Sequence, residues 1–150
     1  MEQELTFRII LLNPTQGVVF GLQKGAGNRY ETLQKQKGTT GELVFDCLVT
    51  VKGDEQKDPL PRLTGPFVQG AAPTKFIYID IGTYAGQLDS PWSRRLKIPL
   101  SGITWDFVRP MASNSNVVAG TRVEGTGRDG GPNCATVKPF AGWHWMRQVP

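Results

Sequence analysis

The chain has 150 residues, which suits a single domain, and its formal net charge is +4. Eighteen glycines and 11 prolines exclude an extended coiled coil, and an apolar fraction of 39% supplies a core and argues against wholesale disorder. Dedicated nucleic-acid-binding proteins concentrate positive charge more strongly than this, so nucleic acid is not an expected partner.

Membrane and secretion signals are lacking in the sequence. No stretch approaches the run of about 18 apolar residues that a transmembrane helix needs. The chain begins MEQELTFRIILLNPTQG, with acidic residues first and a short apolar run, unlike a secretory signal. We therefore expect a protein of the cytoplasm with no membrane contact.

Alternation of apolar and polar residues predicts strands in the first half of the chain. Residues 5–12 and 18–23 alternate in this way, and residues 43–51 (LVFDCLVTV) do so most clearly. Tyr30–Gln36 has the spacing of either a short helix or an exposed strand. The glycine-bounded loop at 38–41, just ahead of the clear strand, favours a strand that forms a hairpin with it.

The second half continues the pattern. Strands are predicted at 76–81 (FIYIDI), 94–100 (RRLKIPL), 103–109 (ITWDFVR), 117–123, 134–137 and 143–149. Pro99 has no backbone N–H to donate to a ladder, so its strand lies at an edge or ends there.

These segments together define the predicted fold. The sequence contains roughly eight to ten short strands and no helix longer than two turns. We predict an all-β single domain spanning residues 1–150, either an antiparallel β-sandwich or a partly closed β-barrel.

The cysteines and the one histidine limit metal and redox chemistry. Cys47 and Cys134 are too far apart for a CxxC pair, so we expect two reduced thiols with at least one in the core; a disulfide would require the two side chains to face each other. His144 is the only histidine, and a zinc site built from it and both cysteines is disfavoured. We expect no metal and no cofactor.

No recognised catalytic motif is present. The chain has no GxSxG elbow, no phosphate-binding loop and no dinucleotide-binding glycine spacing in a strand–helix context. On a strand, His144 would point away from Trp143 and Trp145, so we interpret it as a surface or structural residue. The two tryptophans would share a face, as core, as a cap, or as an exposed stacking platform.

One candidate ligand site combines Trp92 with Arg94, Arg95 and Lys97. An arginine can bind a carboxylate or phosphate through two hydrogen bonds, and a tryptophan offers a stacking surface. The simpler interpretation, which we prefer, is a solvated edge strand whose positive charge resists pairing with other chains.

A second candidate centres on Tyr78 and Asp80. Asp80 lies in an otherwise apolar strand, so it needs a partner if it is buried. If the strands at 76–81 and 94–100 are neighbours in a hairpin, Arg95 is the expected partner. We prefer a structural ion pair to one that lines a pocket.

Several strings together resemble an uncharacterised bacterial family, a domain of unknown function. The strings are FGLQKGAGNRYE (20–31), GELVFDCLVTV (41–51), GPFVQG (65–70), KFIYIDIGTYAG (75–86) and SPWSRRLKIPLSGITW (90–105). The resemblance covers about residues 5–109 and leaves 110–150 outside it. It implies a small soluble bacterial protein and transfers no activity, ligand or catalytic residue.

Three functions from different classes follow. The first is a non-catalytic module that binds an unknown small molecule or protein, as a monomer or a homodimer. The second is an enzyme with Asp80 and Arg95 in a pocket. The third is weak polyanion binding through Arg94, Arg95, Lys97 and the 24–37 segment. The absence of a catalytic motif favours the first.

Overall fold

The computed structural model describes residues 1–26, 29–82, 94–111, 114–125, 135–136 and 140–148. The one helix among these residues is the short α1 (Trp105–Val108). The strands are β1 (Glu2–Leu12), β2 (Val19–Ala26), β3 (Arg29–Lys37), β4 (Leu43–Lys52), β5 (Arg62–Thr64), β6 (Phe76–Ile81), β7 (Arg94–Pro99), β8 (Val117–Glu124), β9 (Ala135–Thr136) and β10 (His144–Arg147).

The strands form two five-stranded sheets. The first sheet has the order β10-β8-β1-β4-β5, and the second has the order β3-β2-β6-β7-β9. Neighbours are antiparallel except for β1 with β8 and β7 with β9, which run parallel. The all-β prediction is confirmed in its sandwich form, because the described strands make two open sheets and no closed barrel.

The core lies between the two sheets and follows from alternation along the strands. Each central strand turns every second side chain inward and excludes it from solvent. The fully buried large side chains include Phe7, Ile9 and Leu11 of the first sheet with Phe45 and Val49, and Phe20, Leu22, Ile77, Ile79 and Ile98 of the second. Cys47 is also buried and unpaired, which confirms a thiol in the core, whereas Cys134 lies outside the described residues.

The strand at Tyr30–Gln36 is confirmed, but its predicted partner is wrong. It forms β3, which pairs with β2 rather than with β4, so the 38–41 loop connects the two sheets instead of closing a hairpin. Alternation sets which face is buried and leaves the choice of partner open.

Side chains of β3 bridge to the other sheet. The β2–β3 register shifts next to Gln34, which has a positive φ of 52°. The side-chain amides of Gln34 and Gln36 donate to the backbone oxygens of Asp46 (2.8 Å) and Val44 (2.7 Å) in β4. These bonds satisfy backbone carbonyls of β4 that would otherwise need hydrogen-bond donors from a neighbouring strand.

The strand predicted at 103–109 is wrong. The chain turns there into α1, whose N-cap is Thr104: its hydroxyl accepts from the backbone N–H of Phe107 at 3.2 Å. Trp105 and Val108 are buried, while Phe107 stacks on Trp145 at 4.8 Å between ring centroids. The apolar residues Ile103, Trp105 and Phe107 also have the alternating spacing of a strand, so the pattern alone does not exclude one. The capping bond from Thr104 stabilises the helix instead.

The strand predicted at 94–100 is confirmed as β7 and ends at Pro99. The preferred interpretation of it as a solvated edge strand is wrong. β7 is hydrogen-bonded to β6 on one side and to the short β9 on the other, and Arg95 is largely withdrawn from solvent.

Candidate functional site

A cavity of about 370 Å³ opens at the end of the sandwich where β6 begins and β7 ends. We call it the end cavity; its walls come from residues within 60–64, 70–75 and 100–103. Its floor is apolar and formed by residues of the core, since Leu63, Leu100 and Ile103 are only 5%, 2% and 2% exposed. The cavity therefore lies directly on the outer end of the hydrophobic core.

Lys75 joins the two sheets at this cavity. Its ammonium donates to the backbone oxygen of Leu63 in β5, and its own backbone oxygen accepts from the N–H of Leu100 at 2.9 Å. A further bond from the N–H of Ile103 to the oxygen of Leu100 (3.1 Å) shapes the opposite wall. The position of the Lys75 side chain is thus set by contacts at both of its ends.

The polar side chains around the end cavity are few, and the charged ones are cations. Among the described residues, Arg62 and Lys75 supply two cations to the wall, Thr64 and Ser101 supply hydroxyls, and no Asp or Glu contributes. An ammonium has three N–H donors, and the carbonyl of Leu63 uses one of those on Lys75. An apolar cavity with a few placed polar groups is the usual composition of a small-molecule site.

A second depression, of about 510 Å³, lies beside the end cavity and is open and polar. Several of its charged groups have partners: Lys52 pairs with Glu2 at 3.0 Å, and Asp58 accepts from the N–H of Asp54 at 2.8 Å. Arg62 lines both depressions. In the part of the chain that the structure describes, no cluster of three or more His, Cys, Asp or Glu side chains could hold a metal ion.

The structure brings together four of the six residues predicted from the sequence. Tyr78 and Asp80 of β6 lie opposite Lys97 and Arg95 of β7. All four occupy the face of the second sheet that turns away from the core, because Ile77, Ile79 and Ile81 point inward. Trp92 lies outside the described residues, as does the side chain of Arg94.

The predicted ion pair between Asp80 and Arg95 is confirmed. Arg95 Nε lies 3.1 Å from Asp80 Oδ1. The Arg95 guanidinium also sits 5.1 Å from the centroid of the Tyr78 ring, and Lys97 Nζ sits 4.3 Å from that of Phe76. Each cation is therefore placed over an aromatic ring of the neighbouring strand.

Two further side chains bind the same carboxylate. The amide of Gln23 donates to both oxygens of Asp80 at 3.2 and 3.3 Å, and the hydroxyl of Thr32 donates to Oδ2 at 2.7 Å. Gln69 in turn donates to Gln23 Oε1 at 3.0 Å. Asp80 and Gln23 are 4% and 1% exposed. We call Gln23, Thr32, Gln69, Asp80 and Arg95 the outer-face network.

The buried polar atoms of the outer-face network all have hydrogen-bond partners. Every buried side-chain nitrogen and oxygen of the described residues has a hydrogen-bond partner. Donors from β2, β3 and β7 converge on one carboxylate of β6, which ties four strands of the second sheet together. This supports the structural interpretation of the Asp80–Arg95 pair.

The remaining candidates have structural positions. His144 is exposed on β10, and it points away from Trp143, which is buried and donates from Nε1 to the oxygen of Pro99 at 2.9 Å. Trp145 donates to the oxygen of Phe107 at 2.9 Å. Burial, and to a lesser degree the charge of Asp46, raises the pKa of the Cys47 thiol to about 12, so this thiol is not a nucleophile in the folded protein.

Sequence reasoning missed the end cavity and Lys75. The three wall segments of the cavity lie within 60–64, 70–75 and 100–103. They are distant in the sequence and meet only through the packing of the two sheets. One local signal was present: Lys75 directly precedes the apolar strand FIYIDI, which places a cation at the end of the core.

The fold and the site define a small two-sheet β-sandwich with an apolar, positively charged cavity at one end. The chain belongs to a family of unknown function (DUF5990), whose model matches residues 5–146. This match confirms the resemblance to a domain of unknown function and extends it past residue 109, so that β8, β9 and most of β10 are included. Comparison with curated proteins and with solved structures gave no match. None of the helices among the described residues is long and apolar enough to cross a membrane.

Proposed function

We propose that this protein is a non-catalytic binding module that takes a small molecule into the end cavity. The observation that carries the proposal is the cavity itself, of about 370 Å³ with a buried apolar floor at Leu63, Leu100 and Ile103. Small-molecule sites are concave, mostly apolar and roughly 300–1,000 Å³ in volume. A small molecule is therefore a better-supported partner than a protein.

The enzyme alternative, with Asp80 and Arg95 in a pocket, has less support. The Asp80 carboxylate already accepts from Arg95, Gln23 and Thr32, and it is almost closed to solvent. A general acid or base must reach its substrate within hydrogen-bond distance. The outer-face network instead uses Asp80 to hold strands together.

The polyanion alternative loses support for a related reason. Arg95 is bound to Asp80, and Lys97 lies over Phe76 in a strand that is bonded on both sides. Binding to a polyanion depends on exposed cations that replace its counter-ions. We keep the cytoplasm as the proposed location, and the free, buried thiol of Cys47 suits a reducing compartment.

The test is a search for binding with a matched pair of blocking variants. Ala71 is exposed on the wall of the end cavity, so Ala71→Trp fills the mouth; Thr39 is exposed in the loop at the opposite end of β4, so Thr39→Trp adds the same ring away from the cavity. A mixture of small carboxylates, amides and alcohols is added, and backbone amide shifts are followed by NMR.

We expect the shifts to centre on Leu63, Lys75, Leu100 and Ile103, to disappear in Ala71→Trp and to persist in Thr39→Trp. The proposal fails if no compound moves these amides. It also fails if Ala71→Trp binds as well as the unmodified protein does.

A further inference from the structure

We infer that the ligand of the end cavity is a monocarboxylate with an apolar body, and that Lys75 is its counter-ion. This inference rests on the proposed function and adds the chemical class of the ligand. It is carried by the charge of the cavity wall and by the way Lys75 is held.

The wall of the end cavity is unbalanced in charge. Arg62 and Lys75 both line it, and no acidic side chain from the part of the chain that the structure describes does. Within the described part of the chain, neither cation lies within ion-pair distance of a carboxylate, unlike Arg8, Arg95 and Arg109. An anionic group of a ligand would supply the missing charge.

Lys75 is preorganised for this role. Its ammonium is held on the backbone oxygen of Leu63, and its backbone is fixed by the N–H of Leu100. One N–H donor of the ammonium is used, which leaves two for the two oxygens of a carboxylate. Because the group is half-buried beside an apolar floor, its attraction for an anion is stronger than it would be in open water.

The single fixed cation also sets the charge of the ligand. Arg62 is exposed at the mouth and has no such anchor, so one ammonium defines the site. This suits a group of charge −1 better than a phosphate, which is usually held by several donors such as the backbone N–H groups of a helix N-terminus or a glycine-rich loop. The apolar floor then takes the hydrocarbon part of the ligand.

The experiment compares two acids with their neutral amides by calorimetric titration: octanoate with octanamide, and 3-phenylpropanoate with 3-phenylpropanamide. We expect each carboxylate to bind about tenfold more tightly than its amide, because a charge-assisted hydrogen bond is gained. Raising the salt concentration should weaken the carboxylates and leave the amides unchanged.

Two lysine variants test whether the preference for carboxylates over amides arises from Lys75. Lys75→Met keeps an apolar stem and removes the charge, so it should bind acid and amide equally. Lys97→Met makes the same change on the outer face of the second sheet, over Phe76, and should keep the preference of the unmodified protein. If Lys75→Met does not fold, the acid–amide comparison and the salt response of the unmodified protein decide alone.

The outcomes separate the two proposals. If amides shift the cavity residues and bind as tightly as the acids, the inference about the carboxylate is overturned and the binding module stands. If Lys75→Met folds and still prefers the acids, Lys75 is not the counter-ion. If neither class enters the cavity and Ala71→Trp changes nothing, both proposals fail.

Discussion

Arg95 and Asp80 face each other across β6 and β7, with Nε 3.1 Å from Oδ1, on the face of the second sheet that turns away from the core. Only 14% of the Arg95 side chain and 5% of the Asp80 side chain are exposed. Two charges withdrawn from water are costly unless their remaining hydrogen-bonding groups are satisfied. Gln23 and Thr32 donate the further hydrogen bonds to the Asp80 carboxylate, so the Asp80–Arg95 ion pair belongs to the framework of the sheet.

Replacing Asp80 by Asn should destabilise the protein strongly. The change removes the negative charge that pairs with Arg95 at 3.1 Å and sets a new amide against the amide of Gln23. We expect the free energy of unfolding to fall by about 3 kcal/mol. Urea denaturation followed by tryptophan fluorescence measures the loss.

The matched control is Glu2→Gln, which breaks the pair with Lys52. Those side chains are 68% and 43% exposed, so the expected loss is below about 1 kcal/mol. Equal losses in the two variants would show that the outer-face network contributes no more than a surface ion pair.

The thiol of Cys47 should be unreactive in the folded protein. Burial, with a smaller contribution from Asp46, raises its pKa from 9.0 to about 12, and the residue is 4% exposed. In a Cys134→Ser background, Ellman's reagent near pH 8 should label Cys47 only after denaturation. Rapid labelling without urea would contradict its place in the core.

The same shift in pKa predicts a loss of stability in alkali. The folded protein keeps the thiol proton above pH 9, where the unfolded chain releases it. The contribution of Cys47 is therefore complete below pH 9 and is lost as the pH rises towards 12, by up to about 1.4 kcal/mol per pH unit. Urea unfolding at a series of pH values should show a steeper loss for the unmodified protein than for Cys47→Ala; parallel curves would contradict the assignment.

The sequence was sufficient for the long strands and their inward faces, because one-sided burial imposes a period of two on residues such as Phe45, Cys47 and Val49, but it was not sufficient for α1, which was predicted as a strand. It was not sufficient for the partner of β3. The β-bulge at Gln34 and the bonds from Gln34 and Gln36 to β4 depend on how the two sheets meet. No local pattern in the sequence carries that information.

The candidate site was likewise predictable only in part from the sequence. The pairing of Asp80 with Arg95 was predictable, since two strands joined by one connection commonly pair and a buried carboxylate needs a cation. The donors Gln23 and Thr32 come from strands whose order was unknown. Lys75 and the end cavity depend on contacts between distant segments, so they appear only once both sheets are in place.

Removing the N-cap of α1 should cost a measurable part of the stability. In Thr104→Ala the N–H of Phe107 loses its acceptor, and a capping threonine typically contributes about 1 kcal/mol. Thermal unfolding of this variant is compared with that of Thr39→Ala, an exposed loop threonine for which we expect little change. A similar result for both would mean that the cap does not determine where α1 begins.

Gly53 should tolerate no side chain, because it packs against Trp105 with a backbone φ of +133°. A Cβ atom there would lie 2.8 Å from Asp58 Oδ2 and 3.1 Å from the Trp105 ring, whose Nε1 donates to the backbone oxygen of Asp58 at 2.8 Å. Gly53→Ala therefore combines backbone strain with displacement of a buried indole, and we expect a loss of about 2 kcal/mol and a shift in tryptophan emission.

Gly102→Ala is the matched control, since nothing lies within 4 Å of its Cβ position and its φ is outside the left-handed region. That variant should be neutral or slightly stabilising by urea denaturation. Because the Gly53–Trp105 contact seats α1 on the loop after β4, a stable Gly53→Ala would mean that this loop adjusts freely and does not hold the helix in place.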